Sequence, residues 1–153
     1  MSNNPLWVEF DLDELDSMPD RAVRALPRAI ELVAIAAYGY IIEEAPSKTG
    51  HMRGSVQFPQ KFKTLGFKIA IKAAYWIYVQ FGSGLHGPHN KAYSIFPKRK
   101  KALKFVVSGK TVFAKYVTNH PGQKPNPFVD RGLDRATDDV SGAVAQALRE
   151  ASL

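Results

Sequence analysis

Cysteine is absent from the 153 residues, so neither disulfides nor thiolate metal sites are available. That fits a reducing compartment, and stability has to come from packing or assembly. No apolar run has the length a membrane span requires, and the opening Met1-Ser-Asn-Asn-Pro5 lacks the basic-then-apolar layout of a signal peptide. The expected setting is cytoplasm-like, with no membrane partner. The most informative absence concerns one sign of charge: residues 45–129 contain no Asp or Glu. They carry 15 of the 21 basic residues. All 14 acidic residues lie in the two ends, nine before and five after, with six Arg and no Lys. The formal net charge of +7 conceals +15 in the middle and −8 at the ends. Such segregation means that one face meets something negative, either nucleic acid or the acidic ends of a neighbouring copy.

The missing acids also bear on catalysis. They remove the usual carboxylate general acids and bases from the middle of the chain. Ser83 stands between two glycines but is followed by no recognisable base and acid, and Gly-x-Ser-x-Gly does not occur. Gly82-Ser-Gly-Leu-His-Gly87 lacks the Lys-Ser/Thr ending of a phosphate-binding loop and reads as a flexible connector. His86 and His89 are spaced i, i+3, with His51 and His120 elsewhere and no acid near them in sequence, so solvated or structural roles are expected. No catalytic residue, cofactor or metal site is expected, and an enzyme such as a nuclease or peptidase ranks below any binding role.

What is present reads as one domain of α+β class, residues 1–153, with 84–126 as a loop and β-hairpin insertion. Trp7-Val-Glu-Phe-Asp-Leu12 alternates like a short half-buried strand. A long helix follows, capped by Ser17 with Pro19 in its first turn. Its stripe is Val23, Leu26, Ile30, Val33, Ala37 and Ile41, and Pro27 predicts a kink or two frayed turns. Beyond Ala45-Pro46, residues 47–50 read as a turn, 52–58 as a strand and 67–72 as a second strand with one basic face. The apolar run 73–81 should be buried, as a short helix with Ala74, Ile77, Tyr78 and Phe81 on one face.

Residues 93–97 begin another strand, and 102–107 and 111–117 form a hairpin around Ser108-Gly109-Lys110. The loop 119–127 leads, through Asn126 and Pro127, into one last helix with Val129, Leu133, Ala136, Val140, Val144 and Ala147 inward. Gly132 and Gly142 should each weaken it by about 1 kcal/mol relative to Ala. Two helices on one antiparallel sheet, with a protruding basic hairpin, is the expected architecture. The hairpin and its flanks bear Lys98, Arg99, Lys100, Lys101, Lys104, Lys110 and Lys115, either a nucleic-acid patch or a solvated turn. Tyr75-Trp-Ile-Tyr78 reads as core or subunit interface before it reads as a ligand surface.

Three pieces together resemble a known family. Ala45-Pro-Ser-Lys-Thr-Gly-His-Met-Arg-Gly-Ser55 resembles an AP-x-x-TG-x-LR-x-S signature. Ala74-Tyr-Trp-Ile-Tyr-Val-Gln-Phe-Gly-Ser83 is similar to a YA-x-YVEFGT segment, and Asn126-Pro-Phe-Val129 to a PFL segment. The family is the tail-completion, or neck, proteins of long-tailed double-stranded DNA phages, the gene-product-ten-like tail components to which lambda minor tail protein Z is related. Residues Pro46, Thr49, Gly50, Arg53, Tyr75, Tyr78, Phe81, Gly82, Pro127 and Phe128 carry the match. Gln80 stands where the family has Glu, Ser83 where it has Thr and Trp76 where it has a small residue. The resemblance implies a structural virion protein at the head–tail junction, made in the host cytoplasm. It implies a homo-oligomeric ring, a hexamer, around the DNA channel, with neck, head-closure and tail-terminator or tail-tube proteins as neighbours. The basic hairpin is then the assembly and DNA-proximal arm, meeting duplex without reading bases. The rival is a basic double-stranded DNA-binding protein acting without a ring.

Overall fold

The computed structural model describes residues 6–7, 19–63 and 65–152, with backbone alone at 6, 7 and 63. The order is β1 (Leu6–Trp7), α1 (Asp20–Glu44), α2 (His51–Ser55), β2 (Gln60–Lys63), β3 (Gly66–Ile69) and α3 (Trp76–Phe81). There follow β4 (Tyr93–Ile95), β5 (Leu103–Val107), β6 (Lys110–Ala114), β7 (Val117–His120), α4 (Phe128–Asp138) and α5 (Val140–Glu150). The class is α+β with antiparallel pairing throughout, distributed over three small sheets ordered β1-β3-β2, β4-β7 and β5-β6. The chain divides into two compact units, one made of residues 1–76 and 128–153 and the other of residues 77–127.

In the first unit α1 runs unbroken through Pro27 with its first turns formed, so the expected fraying is absent. Pro19 stands at the N-cap rather than inside the helix, while Ser17 and the strand expected beyond Trp7 lie outside the described residues. The buried face is Ala25, Ala29, Ile30, Ala34, Ala37 and Ile41. This is rotated from the expected stripe: Val23 is exposed, because the close neighbours of α1 are helices that approach over alanines. Ala25 and Ala29 form a cluster with Ala147 of α5, with Leu148 against it. Gly132 of α4 lies so near Ile41 that a Cβ there would come within 3 Å of both backbone and side-chain atoms. Phe128 and Ile41 are fully buried.

Three other expectations fail in this unit. Residues 51–55 form the short helix α2, and only Val56 pairs as a strand would, with Ile71. The helix is favoured because Arg53 Nε and Nη2 donate to the carbonyls of Ala45 and Glu43 at 3.0 and 2.9 Å, satisfying acceptors that the end of α1 leaves open. The C-terminal helix is two helices, interrupted at Asp139 after the weak helix formers Thr137 and Asp138. Thr137 Oγ1 bonds the Leu133 carbonyl, and the Tyr40 hydroxyl donates to the Asp139 carboxylate. Finally, α1 is long and apolar enough to cross a membrane, with a mean hydropathy of 1.5 over its best window. Interspersed alanine, glycine and tyrosine hide that apolarity from a search for consecutive large side chains. Here the alanines are packed against protein.

Ion pairs tie the ends of these helices together. Arg131 and Arg135 of α4 hold Glu44 at 2.7 and 3.2 Å, Arg135 also reaches Glu43, and Arg28 bridges Glu31 and Glu150 of α5. Arg135 further lies over the Tyr40 ring, 4.1 Å from its centre. A cavity of about 310 Å³ opens beside α1, lined by apolar side chains including Ile30, Val33, Phe67, Leu133 and Val140.

Candidate assembly surface

The second unit contains nine of the 21 basic residues and none of the 14 acidic ones. Counted by unit the charge segregation seen in sequence persists with smaller sums, +9 here against −2 in the other, because Lys48, Arg53, Lys61, Lys63, Lys68 and Lys72 belong to the first unit. All nine cations, Lys91, Lys98, Arg99, Lys100, Lys101, Lys104, Lys110, Lys115 and Lys124, are exposed. No acid of the same unit is available to pair with them.

Apolar exposure follows the same boundary. Among the described residues, 12 of the 18 exposed large hydrophobic side chains belong to this unit, which is one third of the chain. The one large apolar side chain it buries is Val79. The unit thus has little core of its own and much exposed apolar area, a property that interaction surfaces share.

The hairpin illustrates why. Strands β5 and β6 pair Leu103 with Ala114, Lys104 with Phe113, Phe105 with Val112, Val106 with Thr111 and Val107 with Lys110. The turn is the two residues Ser108 and Gly109, both left-handed, so Lys110 belongs to the strand. Alternation puts Phe105, Val107 and Val112 on one face and Val106 and Phe113 on the other. Both faces are open: Val107 on the first is 52% and Phe113 on the second 67% exposed. The expected single strand 111–117 is two, because the chain leaves β6 at Lys115 and returns as β7 to pair with β4, Tyr93 opposite His120. The loop expected from 119 accordingly starts later.

A second surface surrounds α3. The short helix forms where expected, but the face expected to be buried is turned outward, with Tyr78 56% and Phe81 52% exposed, while Val79 and Gln80 point inward. Periodicity gives the helix and cannot say which of its faces is covered. Beside it lies a groove of about 710 Å³ lined by Ile77, Tyr78, Phe81, His89, Lys91 and Tyr93 over a floor of Gly82, Ser83, Gly84 and Gln123. That floor is not the flexible connector the composition suggests. Ser83 N–H donates to the Gln123 carbonyl (2.9 Å), Leu85 N–H to the Pro121 carbonyl (2.7 Å) and Gln123 N–H to Ser83 Oγ (3.0 Å). The two backbones meet so closely that a Cβ on Gly122, at φ +89°, would overlap the Ser83 carbonyl oxygen. Lys91 is tied in by its own N–H to the Gly84 carbonyl.

The family-motif residues occupy structural positions. Pro46 follows the end of α1, Thr49 and Gly50 make the turn into α2, Gly82 sits in the groove floor, and Pro127 precedes the fully buried Phe128. Arg53 caps α1. The Tyr75 hydroxyl lies 3.1 Å from His51 Nδ1 with the rings stacked. His120 Nδ1 accepts from Gly122 N–H, and its ring lies against Tyr93. His86 and His89 are exposed, and no group of three His, Asp or Glu side chains converges among the described residues.

No family model, curated protein or solved structure matches this chain. The chemistry of the second unit is what remains to argue from. It offers exposed apolar area and cations with no acid in their own unit, a composition that docking faces share.

Proposed function

We propose that the chain is a structural virion protein of the phage head–tail junction, joining copies of itself into a ring around the DNA channel that completes the tail and connects it to the head. The observation that carries this reading is the coincidence, in residues 77–127, of +9 charge without a single acid and most of the large apolar side chains exposed among the described residues. A ring is built from heterologous contacts, in which one surface of a copy meets a different surface of the next. Two unlike surfaces are available here, an acid-bearing helical unit and an acid-free one. The apolar faces of β5 and β6 supply area to bury, and the cations supply orientation and suppress wrong pairings. Cations left uncovered in the ring face the channel and neutralise phosphate without reading bases. The sequence motifs around Pro46, Arg53, Phe81 and Phe128 support the same reading through the family they resemble.

A second reading has its own observation. Lys98, Arg99, Lys100 and Lys101 form an exposed run just before β5, which suffices for salt-sensitive binding of duplex by a monomer. Electron microscopy of the concentrated protein, with and without duplex, separates the two. Closed rings with an open centre are expected. Monomers that coat duplex at low salt and leave it at high salt would replace the ring by a free DNA-binding protein.

A further inference from the structure

The groove beside α3 is concave, apolar-walled and bordered by cation, and its floor is fixed before anything binds. We infer that it receives the acidic–apolar segment, residues 8–16, of a second copy of this chain. This deepens the ring reading by naming one of its contacts, and it rests on that reading in requiring self-association.

The groove side of the argument comes from the structure. Ile77, Tyr78, Phe81 and Tyr93 give it apolar walls, with Lys91 and His89 at the rim. The backbone bonds between 83–85 and 121–123 hold the floor, so little ordering is required on binding. No acid of its own unit competes for Lys91.

The occupant side comes from the sequence. Residues 8–16, Val-Glu-Phe-Asp-Leu-Asp-Glu-Leu-Asp, contain four large apolar residues and five of the 14 acids, without one base. No other stretch of this chain combines apolar and acidic residues so densely. Phe10 and Leu12 suit the aromatic walls, and the acids beside them, Asp11, Asp13 and Glu14, suit Lys91. Eleven residues separate Trp7 from Pro19, and a chain of that length tethered at both ends reaches no more than about 18 Å from its tethers. That is enough to enter a groove on a copy in direct contact. The contact is heterologous, donor segment to acceptor groove, and so it can repeat around a ring.

The test uses full-length chains. A donor variant carries Asp11→Lys, Asp13→Lys and Glu14→Lys; an acceptor variant carries Tyr78→Ser and Phe81→Ser, both at exposed positions. Sedimentation is run on each alone and on an equimolar mixture, with circular dichroism confirming folding. Each variant alone should associate at least about tenfold more weakly than the wild type, as expected for loss of a buried anchor. The mixture, with one intact donor and one intact acceptor, should recover dimers and stop there. Should the acceptor variant fail to fold, Lys91→Glu with the donor variant provides a charge-swapped pair that must restore association. Variants that assemble like the wild type, or a mixture that stays monomeric, overturn the docking; wild-type rings in the same experiment leave the ring reading standing. A wild type that never associates and binds duplex as a monomer removes both. Loss of duplex binding on the acceptor variant, with association intact, assigns the groove to nucleic acid and overturns the proposal.

Discussion

Two glycines in the C-terminal helices make opposite predictions, although by helix propensity alone both should be liabilities. Gly132 is pressed against Ile41, and a methyl group there meets backbone that cannot move aside cheaply. Gly132→Ala should therefore destabilise by about 1–3 kcal/mol despite its better propensity. Gly142 has nothing within 4 Å of a Cβ, so Gly142→Ala should stabilise by up to about 1 kcal/mol. Urea unfolding of the two variants gives both signs directly. At Gly122 the left-handed φ and the overlap with Ser83 act together, and Gly122→Ala should strip amide-exchange protection from Ser83 and Leu85.

Among the described residues, acid should act through two carboxylates. The hydrogen bond from Arg131 holds Glu44 below the ordinary 4.5, and the hydrogen bond from Arg28 does the same for Glu150. A carboxylate whose pKa is lower folded than unfolded contributes stability that is present above its unfolded value and is lost as pH falls through the folded one. Thermal midpoints should thus decline as pH is taken from 5 to below 4.5, and Glu44→Gln should decline less steeply. An identical slope in the variant would mean that this pair does not tether α1 to α4.

At the scale of elements, the hairpin β5–β6 is the one whose own packing is least sufficient. A two-stranded ribbon open on both faces is marginal in water and gains stability when covered. Val106→Thr with Phe113→Thr should leave the melting temperature of the monomer nearly unchanged while weakening self-association. Lys100→Glu with Lys101→Glu should block incorporation into rings with the fold intact, and normal assembly by that variant would count against the hairpin as an assembly arm.

Long elements with internal periodicity, α1 and the hairpin, were legible in the sequence because their local signals are strong. Short ones were decided by distant partners. Residues 51–55 become helix where Arg53 finds the open carbonyls of α1, and no pattern within those five residues announces that. The last helix breaks at Asp139, where polar residues compete with the backbone. Of the candidate surface, the lysines could be read directly, since a run of like charge is solvated. The outward Tyr78 and Phe81 could not, because an aromatic stripe has the same spacing whether it faces a core or a partner.

For the whole molecule, the decisive quantity is charge counted by unit. The sum of +7 describes a mildly basic protein, whereas +9 and −2 describe two units of opposite sign, the asymmetry on which the proposed ring contact draws. Electrostatic contact between exposed groups weakens as salt rises, and apolar contact does not. Assembly through both should therefore be reduced by salt without being abolished.

The most direct measurement is the mass of the purified protein by sedimentation, against concentration, at low and high salt, with and without duplex DNA. Growth to a closed oligomer without DNA, shifted to higher concentration by salt, is expected. A chain that stays monomeric alone yet binds duplex tightly would contradict the ring and make the acid-free unit a DNA-binding surface.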